Sequence, residues 1–198
     1  MMSLVSAYKR SRANGGNTLA AVASRSGLQV ANLSTIENGK RIPRVDTLEK
    51  AIRATGKKFV PVSNLSASAA EISEEIETEL ARGRVNDLFR FVVQLADNLA
   101  AADSVEDFYA LVIEPAVSTG NQDWDSAIEA VTQFRANQRG WPTPSWCNKS
   151  ILQSPISLEQ CVWVGVPSAL GAVRGDYQTA PEFTSRGIFV ALDDLESI

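Results

Sequence analysis

The segment TLAAVASRSGLQVANLSTIENGK, residues 18–40, constrains the fold more than any other part of this chain. Val22 is followed by a single glycine, Gly27, and Leu33 and Ile36 then lie three residues apart. This spacing predicts two short helices joined by a tight turn at the glycine, because the aliphatic residues of both segments then face one core. A compact pair of helices is therefore the first predicted unit.

The two predicted helices also carry signals for their ends. Thr18 can cap the first helix, since its hydroxyl can accept a hydrogen bond from an early backbone N–H. Asn38 and Gly39 provide a left-handed position that stops the second helix. Ala23 is small enough to let the helices approach. The second helix, near residues 29–37, is then presented outward, and a helix presented in this way fits the major groove of duplex DNA.

Turn signals and composition divide the chain into domains. Helical spacing continues on both sides of the pair, so residues 1–62 are predicted to form a domain of four short helices. Residues 63–70, SNLSASAA, are small and polar, which is typical of a linker. Residues 71–198 begin with apolar residues at every third or fourth position, which predicts amphipathic helices. The expected fold class is mainly α, with a mostly helical second domain and little strand.

The net charge of −4 hides a division between these domains. Residues 1–62 contain eleven Lys or Arg and three Asp or Glu, a net charge of +8, whereas the remainder carries −12. The basic domain predicts a polyanionic partner, and the acidic remainder predicts a different partner, for which a basic protein is one candidate. An uneven distribution of solvated surface charge is the alternative explanation.

The composition excludes several functions. Histidine is absent, which removes histidine-based triads and most zinc sites, the easiest routes to catalysis. We expect no enzyme activity, no cofactor and no metal, and an enzyme with a DNA-targeting module is the weakest of the alternatives. Cys147 and Cys161 are expected to be buried thiols rather than a disulfide. No run of about 18 apolar residues and no export signal is found, which predicts a cytoplasmic protein without a membrane segment.

Residues 18–39 resemble, without gaps, the helix-turn-helix of Xre/Cro type repressors, including the capping threonine, the glycine turn and the Ile-Glu-Asn-Gly ending. The similarity extends over about residues 4–60 through Lys40, Pro43, Leu48 and Gly56. It implies a lambda-repressor-like domain that binds operator DNA as a two-fold dimer. These repressors usually have glutamine directly after the capping threonine, where it bonds phosphate and steadies the recognition helix. This chain has Leu19 instead.

The resemblance also implies which residues contact DNA. Those expected to read bases are Gln29, Val30, Ala31, Asn32 and Thr35, with Ser34 nearby. Those expected at the phosphate backbone are Thr18, Lys40, Arg41 and Arg44. Gln29 and Asn32 can hydrogen-bond adenine or phosphate, whereas Val30 and Ala31 can only contact thymine methyl groups. Specificity is then expected to need DNA shape and a dimer. The alternative is a plain four-helix fold whose basic surface only keeps it in solution.

The second domain carries weaker signals. The second domain contains more tryptophan than a turn needs, at Trp141, Trp146 and Trp163. Tryptophan is common both in packed cores and at protein-protein contacts. We predict a partner surface there. Residues 140–198 resemble the C-terminal part of helix-turn-helix antitoxins that accompany nucleotidyltransferase-type toxins. This resemblance implies an antitoxin that represses its own operon and binds a basic toxin. A stand-alone or phage-type regulator whose second domain senses a ligand or dimerises is the alternative.

Overall fold

The structure is a computed structural model that describes residues 4–59, 66–154, 157–164 and 178–195. The chain divides into two compact units, Met1–Pro61 and Val62–Ile198. Helices dominate the described part of both units, and each described strand is two residues long. The expected mainly α fold, with an N-terminal helix-turn-helix and little strand, is therefore confirmed.

The first unit contains four helices, α1 (Leu4–Asn14), α2 (Leu19–Ser26), α3 (Val30–Glu37) and α4 (Val45–Arg53). Its core is formed by Tyr8, Val22, Ala23, Leu33, Ile36, Leu48, Ala51 and Ile52. Val22 of α2 and Leu33 and Ile36 of α3 are at most 1% exposed. The apolar spacing of residues 18–40 thus gives the core that the sequence predicts, since burying these side chains is what stabilises two such short helices.

Local signals position α3. Thr18 caps α2, because its hydroxyl oxygen accepts a hydrogen bond from the Ala21 N–H at 3.1 Å. Gly27 adopts a φ of 70°, which L side chains rarely adopt, and this allows the sharp turn between α2 and α3. After α3, the Gly39 N–H donates to the Ile36 carbonyl at 3.0 Å. Both predicted glycine turns are therefore present in the structure.

The second unit contains five further helices within the described residues, α5 (Ala69–Ala81), α6 (Phe89–Ala100), α7 (Val105–Val112), α8 (Gln122–Arg139) and α9 (Pro181–Thr184). Short 3₁₀ helices cover Ser145–Asn148, Leu158–Gln160 and Leu192–Leu195. Strands β1 (Val162–Trp163) and β2 (Ile188–Phe189) pair in parallel. α8 packs against α5, α6 and α9, so it is the central helix of this unit.

The predicted linker extends too far toward the C terminus. Residues 60–65 lie outside the described residues, but Ser68 already caps α5: its hydroxyl accepts from the Glu71 N–H, and the Glu71 carboxylate accepts from the Ser68 N–H at 3.0 Å. Ala69 and Ala70 form the first turn of α5 and are fully buried. Small residues that suggest a linker in the sequence are thus packing residues here, because their size allows close contact.

Buried polar groups hold the irregular segments that follow α8. The guanidinium of Arg186, a residue 4% exposed, donates to the Cys147 carbonyl and to the Gln133 side chain, the latter at 2.8 Å. The carboxylate of Glu129, which is 6% exposed, accepts from the N–H and the hydroxyl of Ser150 at 3.0 and 2.6 Å. The Arg186 guanidinium lies 3.7 Å from that carboxylate. These contacts connect α8 to the chain on both sides of β1.

Both cysteines are free and buried, as the sequence predicts. Burial, followed by the nearby Glu129 carboxylate, raises the pKa of the Cys147 thiol to about 12. None of the helices in the described part of the chain combines the length and the apolar character that crossing a bilayer requires.

Candidate nucleic-acid interface

The residues expected to read bases lie along the open side of α3. Gln29, Val30, Ala31 and Thr35 are exposed, while Asn32 and Ser34 are half-buried. The two buried residues of the helix, Leu33 and Ile36, point into the core of the first unit. The helix therefore has a solvent-facing surface on which polar and small side chains are interspersed.

Hydrogen bonds organise part of this surface. The Asn32 side-chain oxygen accepts a hydrogen bond from the Arg41 guanidinium at 2.8 Å. The Thr35 hydroxyl donates to the Asn32 backbone carbonyl at 2.8 Å, so it lies against the helix. Gln29 precedes the first turn of α3, and its side chain makes no capping hydrogen bond. It is thus able to extend toward a ligand.

The residues that we expect to contact the DNA phosphates lie at the start of α2 and between α3 and α4. Lys40, Arg41 and Arg44 are exposed on the segment that connects α3 to α4. Thr18 is exposed at the start of α2, and its hydroxyl oxygen is used as the helix cap. A hydroxyl that accepts in this way keeps its proton as a donor, and phosphate oxygens are acceptors only. Every one of these side chains is therefore accessible to a phosphate.

Leu19, the departure from the usual repressor pattern, contributes to packing. It is partly buried and contacts the core of the first unit. The aliphatic side chain of Leu19 cannot donate a hydrogen bond. It therefore cannot make the contact to α3 that the glutamine amide makes in the usual repressors. A polar contact to α3 comes from Arg41, which is bonded to Asn32.

An ion pair between α1 and α3 is a contact that sequence reasoning missed. The Arg12 guanidinium donates to both carboxylate oxygens of Glu37, at 2.6 and 2.7 Å, and the two side chains are 18% and 6% exposed. The hydrogen bonds to Glu37 raise the pKa of the Arg12 guanidinium. A forked pair of this kind is geometrically specific, so it fixes the C-terminal end of α3. Glu37 was visible in the Ile-Glu-Asn-Gly ending, but nothing local indicates its partner.

The predicted partner surface of the second unit is not formed by Trp146. This residue is 8% exposed, and its indole N–H donates to the Val112 carbonyl at 2.9 Å, so it is a core residue. Trp141 is half-buried, with its ring 5.3 Å from that of Phe108. The side chain of Trp163 lies outside the described residues. No group of three or more potential metal ligands occurs among the described side chains.

Residues 9–61 match the helix-turn-helix family. The match begins within α1, extends through α4 and contains every residue that we expect to contact DNA. It supports a DNA-binding transcriptional regulator of the Xre or lambda-repressor-like class. No curated protein and no solved structure matches the chain.

Proposed function

We propose that this protein is a sequence-specific repressor that binds double-stranded operator DNA through α3, and that it acts as the antitoxin and autoregulator of a toxin-antitoxin operon. The observation that carries the DNA-binding part is the open face of α3 beside three exposed cations, Lys40, Arg41 and Arg44. The major groove is about 12 Å wide and admits one helix, and the cations then lie where phosphates flank the groove.

The residues divide into two kinds of contact. Gln29 and Asn32 read base edges, Val30 and Ala31 contact thymine methyl groups, and Ser34 and Thr35 complete that face of α3. Thr18, Lys40, Arg41 and Arg44 contact the phosphate backbone. Backbone contacts set affinity for any sequence, and base contacts set preference between sequences. This division makes the proposal testable residue by residue.

The phosphate contacts are tested by salt dependence. Lys40→Ala and Arg44→Ala should each weaken binding to all DNA sequences and reduce the slope of log K against log salt by about 0.9 per lost contact. Lys50→Ala is the matched control. Lys50 lies in a surface concavity formed with residues of α2 and α4, and no residue of α3 lines it. An equal slope change in Lys50→Ala would show that charge alone, and not this interface, binds DNA.

The base contacts are tested by sequence preference. Gln29→Ala should relax preference at one or two base pairs by about 1 to 3 kcal/mol while the salt slope stays near that of the wild type. The DNA is the region upstream of the protein's own reading frame, compared with unrelated fragments at low ionic strength. Wild-type protein that binds both equally, or neither, would contradict sequence-specific binding.

The second unit is proposed to bind a basic protein toxin. The support is its net charge of −12 and the similarity of residues 140–198 to antitoxin C-terminal regions. Tagged full-length protein purified from its native host should carry a nucleotidyltransferase-like protein encoded beside it. Absence of such a companion, and of such a neighbouring gene, would contradict the antitoxin role but not the DNA-binding role.

A homodimer is part of the same proposal. Helix-turn-helix repressors of this class read two half-sites about one helical turn apart, and one α3 spans only one of them. Light scattering of the full chain with and without operator should give a dimer on DNA. A monomer on a single half-site with full affinity would contradict it.

A cavity in the second unit favours a second candidate, a stand-alone or phage-type regulator that senses a small ligand. The cavity measures about 240 Å³, and its lining includes Gln122, Glu129, Trp146 and Lys149, a mixture of polar groups and one aromatic wall. A ligand of this site should raise the melting temperature and release the operator. A toxin partner in the pull-down, with no such ligand, would contradict this candidate.

A further inference from the structure

The turn after α3 brings Arg41 back beside Asn32. Gly39 has a φ of 67°, and the Lys40 N–H donates to the Thr35 carbonyl at 2.9 Å, which reverses the chain at the end of the helix. As a result, Arg41 bonds a side chain nine residues earlier in the sequence. Arg41 is exposed, and Asn32 lies at the edge of the open face of α3.

This bond fixes which way the Asn32 amide points. Arginine has N–H donors and no acceptor, so only the amide oxygen of Asn32 can face it. The amide N–H₂ group must then point away from Arg41. A free asparagine can turn its oxygen and nitrogen together toward adenine, with the oxygen accepting from adenine N6 and the nitrogen donating to N7. In this protein the oxygen is already bonded to a cation.

The two side chains together present mainly donors. The guanidinium keeps four of its five N–H groups, and the amide keeps two. A surface of donors beside a positive charge is complementary to a base edge that carries acceptors. Guanine offers two acceptors in the major groove, N7 and O6, whereas adenine offers N7 and a donating N6 amino group.

We propose that Arg41 and Asn32 act as one reading unit that recognises guanine. Arg41 is then a specificity-determining residue in addition to a phosphate contact. Adenine is disfavoured because its amino group would meet N–H donors. The inference rests on the proposed function, since it names the base that α3 selects.

Selection from randomised DNA tests the reading unit. Wild-type protein should select guanine at the base pair that Asn32 faces, and Asn32→Ala should lose that preference by about 5- to 150-fold. Arg41→Ala should lose it by a similar factor and increase the share of adenine, because the amide oxygen is released. Arg41→Lys keeps the charge but not the forked guanidinium, so it should keep most of the affinity and lose the preference.

A double-mutant cycle separates coupling from simple charge. If the two residues act together, the double variant should lose no more guanine preference than either single variant. Lys40→Ala is the matched control, and it should lower affinity for all sequences without changing the preference. Thermal melts of each variant check that the domain remains folded.

The failures of the two proposals are distinguishable. An Arg41→Ala variant that loses affinity equally for all sequences and keeps the wild-type preference would overturn the reading unit while the DNA-binding proposal stands. Selection of adenine by the wild type at the Asn32 position would overturn it as well. Wild-type protein that binds no DNA would overturn both.

Discussion

The polar side chains on the open face of α3 differ in their surroundings from three polar side chains of the second unit. On α3, polar residues such as Gln29 and Thr35 face solvent beside exposed cations. In the second unit, Glu129, Arg135 and Arg186 are 9% exposed or less. Exposed polar groups can exchange water for a partner at low cost, whereas these three buried side chains bond groups within the fold. The open face of α3 thus has exposed hydrogen-bonding groups, while these three side chains of the second unit stabilise its own structure.

The reason for the inward polar groups lies in the irregular chain after α8. Segments without regular structure leave backbone carbonyls that need donors when they are buried. The Arg186 guanidinium donates to the Cys147 carbonyl, and that of Arg135 donates to the Leu195 carbonyl at 3.4 Å. The Arg135 guanidinium also donates to the Ala96 carbonyl in the last turn of α6, at 3.1 Å. Arginine suits this role because its donors reach several acceptors at once.

Removing Arg186 is the largest predicted perturbation. Arg186→Ala leaves the Glu129 carboxylate without its cation and two backbone carbonyls, those of Cys147 and Glu182, without this donor, so the free energy of unfolding should fall by about 3 to 5 kcal/mol. The four tryptophans all lie beyond residue 62, so their fluorescence during urea unfolding reports the second unit. Arg84→Ala is the control, because Arg84 is 60% exposed in its ion pair with Glu79. An equal effect of both variants would contradict the structural role of Arg186.

Removing Arg12 tests whether the first unit also depends on one inward polar contact. Arg12→Ala breaks two charge-assisted hydrogen bonds to Glu37 and should lower the free energy of unfolding by about 2 to 3 kcal/mol. Circular dichroism should show the loss, while tryptophan fluorescence stays unchanged. DNA affinity should fall as well, since the end of α3 is no longer fixed.

The matched control for Arg12 lies on α4. Arg53 pairs with Glu49 one helical turn away, and both side chains are well exposed, at 69% and 49%. Arg53→Ala should therefore change stability by only about 0.3 to 0.5 kcal/mol. A loss from Arg53→Ala as large as that from Arg12→Ala would mean that burial does not distinguish the two pairs.

The contrast between these contacts shows what the sequence could predict. The α2 and α3 helices, the Thr18 cap and the turn at Gly27 were predictable because each depends on residues within a few positions. The Arg12 to Glu37 pair joins residues 25 positions apart, and no local pattern indicates it. The open face of α3 was predictable from periodicity, but the bond from Arg41 to Asn32 depends on how the chain reverses after the helix.

The same distinction applies to the second unit. Its amphipathic helices follow from apolar spacing, and the Ser104 cap of α7 is a local signal that the structure contains. In the pairing of β1 with β2, Val162 lies opposite Ile188, which is 26 positions later in the sequence. Strands of two residues are too short to show a periodic pattern. The burial of Trp146 depends on the backbone of α7. A tryptophan-rich loop alone therefore cannot distinguish a core from a partner surface.

Gly27 tests the turn that presents α3. An added methyl group would meet nothing within 4 Å, so the cost of Gly27→Ala is backbone strain alone, at the observed φ of 70°. We expect a loss of about 1 to 2 kcal/mol by circular dichroism. Gly27→Asn should lose less, because asparagine tolerates the left-handed region better than alanine. Equal losses in both variants would contradict backbone strain as the cause.

The stability of the first unit is predicted to depend on alkaline pH through Tyr8. The pKa of Tyr8 is raised from 10.0 to about 12, mainly by burial and also by the Glu37 carboxylate, while Arg12 opposes the shift. Between these two values the unfolded chain loses the phenolic proton and the folded chain keeps it. The unfolded state therefore binds fewer protons, and stability falls as the pH rises from about 10 toward 12.

The variant Tyr8→Phe removes this titration. The free energy of unfolding of the variant minus that of the wild type should therefore rise by about 1 kcal/mol from pH 8 to pH 11. Urea unfolding followed by circular dichroism at both pH values gives the difference, in which all other titrations cancel. Tyr109→Phe removes the same atom from the second unit and should leave the Tyr8-dependent change intact. If Tyr8→Phe and the wild type lose stability in parallel up to pH 11, the Tyr8 hydroxyl is not the group that couples the core of the first unit to alkaline pH.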